Sequence, residues 1–86
     1  MEFEFDNRKG QLNKKKHGID FIEAQALWED PDRVQVPGKT IDEPRFIVIG
    51  KIADEHWSAI VTHRLDKIRI ISVRRSRKEE VEIYES

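Results

Sequence analysis

Residues 46–73, FIVIGKIADEHWSAIVTHRLDKIRIISV, decide the fold, because they contain three apolar runs separated by short polar breaks. The runs Phe46–Ile52, Trp57–His63 and Ile68–Val73 have the length and apolar content of β-strands. Short links, such as the turn at residues 65–67, join antiparallel neighbours, since a parallel connection needs a crossover of about a dozen residues or more. This stretch therefore predicts three adjacent antiparallel strands.

The chain before this stretch predicts a short strand followed by a first helix. Phe3 and Phe5 alternate with acidic residues, which is typical of an edge strand. Asp6 is a favourable N-cap residue, and the helix is expected to extend to about His17. Gly18 can adopt the left-handed conformation with which many helices end.

A second helix is predicted to begin at Asp20. Asp20 and Glu23 have the spacing of a capping box, in which each residue accepts a hydrogen bond from the other's backbone amide. The helix is expected to end at residues 29–32, whose sequence is EDPD. A strand at Arg33–Val36 follows, before Pro37 and Gly38 interrupt the extended pattern.

The chain after the stretch predicts a C-terminal helix over Arg77–Glu85, because Ser76 and Glu79 also have capping-box spacing. This helix has few apolar residues, so we expect it to dock loosely. The complete pattern predicts one α+β domain covering residues 1–86. In it, two N-terminal helices pack on an antiparallel β-sheet that also carries a C-terminal helix.

Composition excludes several classes of protein. The 86 residues include no cysteine, which excludes disulfides and thiolate metal sites. The three histidines lack the HxxxH spacing of metal ligands, and there is no glycine-rich phosphate loop, so we expect no metal and no cofactor. The chain shows no signal peptide and no long apolar run, which predicts a cytoplasmic protein that does not bind membranes.

Positive charge is concentrated in two segments, although the net charge is −1. Residues 7–19 carry only positive charges, and residues 64–78 carry seven basic residues opposed by Asp66. Two such segments can form a phosphate-binding face. The alternative is that both are solvated surfaces without a ligand.

The strand Ile68–Arg75 carries arginines among apolar residues. Strict alternation places Arg69 and Arg74 on opposite faces, because alternate side chains of a strand share a face. A guanidinium in such a strand must be paired or solvated. Arg69 is therefore either a phosphate ligand or the partner of a carboxylate, for which Asp42 and Glu43 are candidates.

Three groups of residues also resemble the sequence signatures of BrnT toxins, and they occur in the same order along nearly the whole chain. The opening group comprises Phe3, Phe5, Asp6, Lys9, Asn13 and the segment 16–24. The middle group comprises Asp42-Glu43-Pro44-Arg45 and Ile49-Gly50. The closing group comprises Arg69-Ile70-Ile71-Ser72-Val73-Arg74, Glu80 and Tyr84.

The resemblance implies a RelE-like fold and metal-independent cleavage of RNA by a type II toxin. It further implies inhibition by a BrnA-like antitoxin of the ribbon-helix-helix class. Operator DNA would then be bound only through the complex with this antitoxin. These are expectations from the family and do not follow from composition or spacing.

Cleavage by attack of a ribose 2′-hydroxyl requires groups that stabilise charge on the phosphorus and groups that move a proton. Arg69 and Arg74 are the candidates for charge stabilisation, with support from Arg64. This role requires the guanidinium groups to converge on one phosphodiester linkage. The expected RNA contacts outside the catalytic group are Lys9, Lys14, Lys16 and Arg75.

His63, Glu80 and Tyr84 complete the candidate catalytic residues. The imidazole of His63 suits proton transfer, unless His63 is a strand-end residue bonded to backbone. Glu80 is a second possible base, although an ordinary glutamate is a weak base at neutral pH. Tyr84 could orient the scissile phosphate. The alternative function is a non-catalytic nucleic-acid-binding or protein-interaction module that uses the same basic face.

Overall fold

The computed structural model describes residues 2–40 and 42–86, which form a five-stranded sheet with helices on both faces. The strands are β1 (Glu2–Glu4), β2 (Val34–Pro37), β3 (Phe46–Ile52), β4 (Glu55–Arg64) and β5 (Lys67–Arg75). The helices are α1 (Asn7–His17), a 3₁₀ helix (Glu23–Glu29) and α2 (Lys78–Glu85). Among these helices, none has both the length and the apolar character that a membrane crossing requires.

The sheet has the strand order β1-β5-β4-β3-β2 and is mixed. Strands β2 to β5 are antiparallel neighbours, as the short connections predict. Strand β1 pairs in parallel with β5, with Phe3 opposite Ile68. The α+β class is confirmed, whereas the expectation of a purely antiparallel sheet is wrong at β1. Most of the chain separates β1 from β5, so no short connection determines their relative direction.

The first predicted helix is confirmed with both of its ends. Asp6 caps α1 by accepting a hydrogen bond from the Lys9 amide at 3.1 Å. Gly18 follows the helix with φ 84°, and its amide donates to the Lys14 carbonyl at 2.9 Å. The left-handed conformation is one that glycine adopts without the steric cost of a Cβ atom.

The second predicted helix forms its capping box but is not an α-helix. The Glu23 amide donates to Asp20 Oδ1 at 2.8 Å, and the Asp20 amide donates to Glu23 Oε1 at 2.9 Å. The following residues form a 3₁₀ helix, which ends with the Asp30 amide donating to the Leu27 carbonyl at 3.2 Å. Two N-terminal α-helices are therefore not confirmed. The capping box and Pro31 leave only a short segment between them, and short segments commonly take the tighter 3₁₀ geometry.

The two faces of the sheet differ in what covers them. On one face, which we call the core face, side chains of β3, β4 and β5 pack against the segment that includes the 3₁₀ helix. The buried apolar core comprises Ile19, Phe21, Ala24, Leu27, Val48, Ala59, Val61, Ile68, Ile70 and Val73. On the other face, which we call the α2 face, Glu80 of α2 contacts the side chains of Ser58 and Arg74.

A β-bulge at Ile71 changes the alternation of β5. Val61 lies opposite Ile70, whereas the preceding residue, Ile60, lies opposite Ser72, so Ile71 is an extra residue on β5. Arg69 lies opposite Thr62 and Arg74 opposite Ser58, which places both arginines on the α2 face. The expectation that they lie on opposite faces is therefore wrong, because the extra residue shifts the alternation by one position.

The C-terminal helix is confirmed and begins at Lys78, one residue later than predicted, with Arg77 as its N-cap. The predicted capping box of Ser76 and Glu79 and the expected loose docking are wrong. Glu80, not Glu79, accepts the hydrogen bond from the N-terminal backbone amide, that of Arg77, at 2.8 Å. The Ser76 hydroxyl instead bonds to the Ser58 hydroxyl at 2.8 Å. Polar contacts along its length, rather than a large apolar face, fasten α2 to the sheet, since the Glu85 carboxylate also lies 2.7 Å from His56 Nε2.

Candidate functional site

A cavity of about 340 Å³ lies on the α2 face, and its walls are strongly cationic. Its lining includes four basic side chains and an apolar floor, and no carboxylate lines it within residues 2–40 and 42–86. The basic residues are Lys39, Arg45, Arg74 and Arg77. The floor consists of Ile47 of β3 and Ile60 of β4, which lie opposite each other in the sheet register.

The connection between β2 and β3 positions one wall of this cavity. The Gly38 amide donates to the Arg45 carbonyl at 2.8 Å, which brings the two ends of the connection together. The Thr62 hydroxyl of β4 donates to the Pro44 carbonyl at 2.8 Å and holds the connection against the α2 face. Lys39 and Arg45 consequently face Arg74 and Arg77 across the cavity.

Arg74 is held in a fixed orientation by Glu80. Its two terminal nitrogens donate to the two carboxylate oxygens at 2.7 and 2.8 Å. Glu80 is only 7% exposed, and it also accepts hydrogen bonds from the buried Ser58 hydroxyl at 2.9 Å and from the Arg77 amide at 2.8 Å. The Arg74 guanidinium, helped by these other donors, lowers the pKa of Glu80 to about 2 despite its burial. Glu80 is therefore ionised at neutral pH and would be a weak base there.

Arg45 carries a buried nitrogen without a partner. Its Nε is buried and makes no hydrogen bond to any residue that the structure describes. A buried donor without a partner costs about 1–3 kcal/mol, so native proteins rarely retain one without a reason. Arg45, Arg77 and Lys39 also make no ion pair with the described carboxylates. This wall of the cavity has donors and positive charge available for an anion.

The four arginines predicted from the sequence do not converge on one point. Each of them makes an ion pair within the described chain. These pairs are Arg64 with Glu43 at 2.8 Å, Arg69 with Glu4 at 3.9 Å, Arg74 with Glu80 at 2.7 Å, and Arg75 with Glu55. Only Arg74 of this group lines the cavity, whereas Arg64 and Arg69 lie on the same face of the sheet and Arg75 lies on the other.

His63 and Tyr84 lie outside the cavity. His63 is exposed at the end of β4, on the core face, with its ring centroid 5.1 Å from that of Phe46. The Tyr84 hydroxyl donates to Asp30 Oδ2 at 2.6 Å, which fastens α2 to the end of the 3₁₀ helix. This hydrogen bond, with desolvation, raises the pKa of Tyr84 to about 12, so the hydroxyl remains a donor at physiological pH.

The lysines predicted to contact RNA lie on α1, which packs along the edge of β5 through hydrogen bonds between the Asn13 side chain and the Val73 backbone. Lys14 is engaged by Glu23, whose carboxylate oxygens lie 2.8 and 3.0 Å from its Nζ. Lys9 and Lys16 are exposed and make no ion pair with the residues that the structure describes. Lys9 and Lys16 border Ser72, which lies opposite Ile60 of the cavity floor, so they form a second basic surface next to the cavity.

Sequence reasoning did not identify three of the cavity residues, Lys39, Arg45 and Arg77. Arg77 belongs to the second basic segment, but nothing local distinguishes it from its neighbours. Arg45 had the clearer signal, since it directly precedes the buried strand β3 and follows Pro44. An arginine at the entry to a buried strand must find solvent, a partner or a ligand.

The cavity can bind a phosphodiester. Guanidinium groups form paired hydrogen bonds with phosphate oxygens, and cations from three segments of the chain surround the same space. Across the described residues, no group of three or more histidine, aspartate or glutamate side chains is arranged to hold a metal ion.

Comparison with known proteins gives one family. A family model described as "Ribonuclease toxin, BrnT, of type II toxin-antitoxin system" matches residues 5–80. The matched region begins just after β1 and ends inside α2, so it includes every residue that lines the cavity. No curated protein matches the chain.

Proposed function

The chain belongs to the BrnT family of ribonuclease toxins of type II toxin–antitoxin systems, and from this premise we propose that the cavity on the α2 face is the site where it cleaves RNA. One observation carries the proposal: Lys39, Arg45, Arg74 and Arg77 line one space without a carboxylate of the described chain. Bringing four positive charges together costs free energy because they repel one another, and a bound phosphate would offset this cost.

Binding at this site engages the RNA backbone more than its bases. The floor is aliphatic and no aromatic side chain of the described residues lines the cavity, so bases have no stacking platform inside it. Arg45 and Arg77 donate to the phosphate, while Arg74 is already oriented by Glu80. A longer strand continues along β5 to Arg69 and Arg64, which lie on the same face.

The reaction is an attack of the ribose 2′-oxygen on the adjacent phosphorus. The new P–O2′ bond forms as the P–O5′ bond breaks, which leaves a 2′,3′-cyclic phosphate and a 5′-hydroxyl end. The proton of the 2′-hydroxyl passes to solvent, and the leaving oxygen receives one from solvent. The protein supplies positioning and charge stabilisation, for which three guanidinium groups suffice without a metal ion.

In this proposal Glu80 is a positioning residue that orients Arg74, because a carboxyl group with a pKa of about 2 removes protons poorly at neutral pH. Tyr84 positions α2 through Asp30. His63 would need a bound RNA strand that reaches around the sheet to its other face, so its predicted role in proton transfer receives no support from the geometry.

The partner expected for a type II toxin is an antitoxin protein. We propose a BrnA-like antitoxin of the ribbon-helix-helix class, on the resemblance described above. Operator DNA would be bound only by the complex, and both partners would act in the cytoplasm, where the RNA substrate is found.

Arg45→Met tests the cavity as the site of cleavage. Methionine is apolar and about as long as the aliphatic part of arginine, so the variant keeps the packing of that part. It removes the buried Nε donor that lacks a partner. We expect the rate of RNA cleavage to fall by at least about 100-fold, as for loss of one transition-state donor. The free energy of unfolding should stay constant or rise by about 1 kcal/mol. A cleavage defect without loss of stability would separate function from folding.

Arg33→Met is the matched control, because Arg33 is exposed and its guanidinium bonds only to the Asp30 carbonyl among the described residues. Both variants and the wild type are assayed with and without EDTA. If Arg45→Met cleaves RNA at the wild-type rate, the cavity is not the site of cleavage. If EDTA abolishes cleavage by the wild type, the reaction is not metal-independent. RNA binding without cleavage by the wild type would instead support a non-catalytic module.

A further inference from the structure

We propose that the outer surface of α1 is an anchoring surface for an acidic, amphipathic segment of the antitoxin. The inference rests on the proposed function, since it assumes that the partner of this toxin is an antitoxin protein. The surface lies along the edge of β5, where the Asn13 side chain bonds to the Val73 backbone, and it borders Ser72, which lies opposite Ile60 of the cavity floor. The partner would therefore hold the toxin next to the RNA site.

The charge of α1 is the first observation. The helix, NRKGQLNKKKH, contains no acidic residue. Four of its basic residues are exposed and make no ion pair with the described carboxylates: Arg8, Lys9, Lys15 and Lys16. Mutually repelling charges of this kind on one helix are stabilised by a ligand of opposite charge.

Exposed apolar side chains on both sides of these charges are the second observation. Leu12 is 59% exposed, beside a cavity of about 180 Å³ to which Lys9, Lys16 and Ile71 contribute. Ile22, on the other flank of α1, is 68% exposed and borders a cavity of about 270 Å³ whose lining includes Phe5 and Phe21. Such apolar exposure costs free energy in water and is removed when a partner covers it.

The combination favours a protein segment over RNA. A phosphate backbone neutralises lysines but gains nothing from covering an exposed leucine or isoleucine. A helix or strand with carboxylates beside an apolar side chain would satisfy both the lysines and Leu12. The occupant is therefore an acidic segment with at least one apolar residue between its carboxylates.

Two variants of the full chain test the anchoring surface, Leu12→Ala and the double variant Lys9→Ala/Lys16→Ala. The probe is the antitoxin encoded by the reading frame beside the toxin gene, and its Kd is measured by calorimetry at low and high salt. We expect each variant to weaken binding by about tenfold. The double variant should also reduce the salt dependence of Kd. Cleavage of RNA by the free Leu12→Ala variant should remain within about twofold of wild type.

Leu65→Ala/Lys67→Ala is the matched control, since Leu65 is exposed in the turn after β4 and Lys67 is exposed at the start of β5. Thermal unfolding confirms that each variant is folded, which we expect because all the substituted side chains are exposed. Unchanged antitoxin affinity in both test variants would overturn the inference. Loss of RNA cleavage with unchanged antitoxin affinity would identify an RNA surface and overturn it as well. If the wild type does not cleave RNA, the proposed function is refuted, but the antitoxin affinities of the variants can still be compared.

Discussion

Replacing Glu80 by glutamine should destabilise the protein in a pH-dependent way. Glutamine has nearly the same shape but cannot ionise, so the variant imitates the protonated carboxyl group. The pKa of Glu80 falls from the usual 4.5 to about 2 in the folded chain, which corresponds to about 3 kcal/mol in favour of the folded state. Little of this is lost to solvent screening, because the side chains of Arg74 and Glu80 are only 18% and 10% exposed.

The sign of the pH dependence follows from the lowered pKa. The stabilisation is complete above the unfolded pKa, near 4.5, and is lost as the pH falls toward the folded value of about 2. The difference in unfolding free energy between wild type and Glu80→Gln should thus be about 3 kcal/mol at neutral pH. It should shrink to below about 1 kcal/mol near pH 2.5.

Urea unfolding followed by circular dichroism across this pH range measures the difference. Glu79→Gln is the control, because Glu79 is exposed on the same helix and makes no ion pair within the described chain. A difference for Glu80→Gln that is constant from pH 7 to pH 3 would refute the reasoning. It would mean that shape or packing, rather than the charge on Glu80, stabilises the contact with Arg74.

Two further substitutions test contacts outside the cavity. Tyr84→Phe removes the hydrogen bond to Asp30 and should lower the free energy of unfolding by about 1–2 kcal/mol in urea; a more than tenfold loss of RNA cleavage by the folded variant would instead place Tyr84 at the RNA. Gly50→Ala would place a Cβ atom 3.0 Å from Leu27 Cδ2 and 3.3 Å from Asp30 Oδ2, so we expect about 1–3 kcal/mol of destabilisation. An unchanged melting temperature would show that this packing is not tight.

Local features of the fold could be predicted from the sequence, because they depend on a few neighbouring residues. Asp6 and Gly18 delimit α1, and the capping box of Asp20 and Glu23 forms as its spacing predicts. The parallel pairing of β1 with β5 depends on contacts between distant parts of the chain, which no local pattern records. The capping box of α2 was also unpredictable, since Arg74 selects Glu80 over Glu79 through a tertiary contact.

The candidate site could be predicted only in part for the same reason. A basic, arginine-rich β5 was evident, and Arg74 does line the cavity. Which arginines remain free of carboxylates depends on tertiary neighbours, so Arg64 and Arg69 could not be distinguished in advance from Arg45 and Arg77. The bulge at Ile71 was equally hidden, because an extra residue in a strand leaves no mark on the local apolar pattern.

The single unmatched residue in β5 determines where this strand can lose a residue. Deleting Ile71 would restore strict alternation and leave Ser72 and Arg74 on the α2 face and Val73 in the core, because Ile70 and Ser72 already lie on opposite faces. Deleting another residue of β5 while the bulge remains would turn the residues on one side of the deletion to the opposite face. Among descendants of this sequence, a gap in β5 should therefore occur at the bulge and hardly ever elsewhere in the strand.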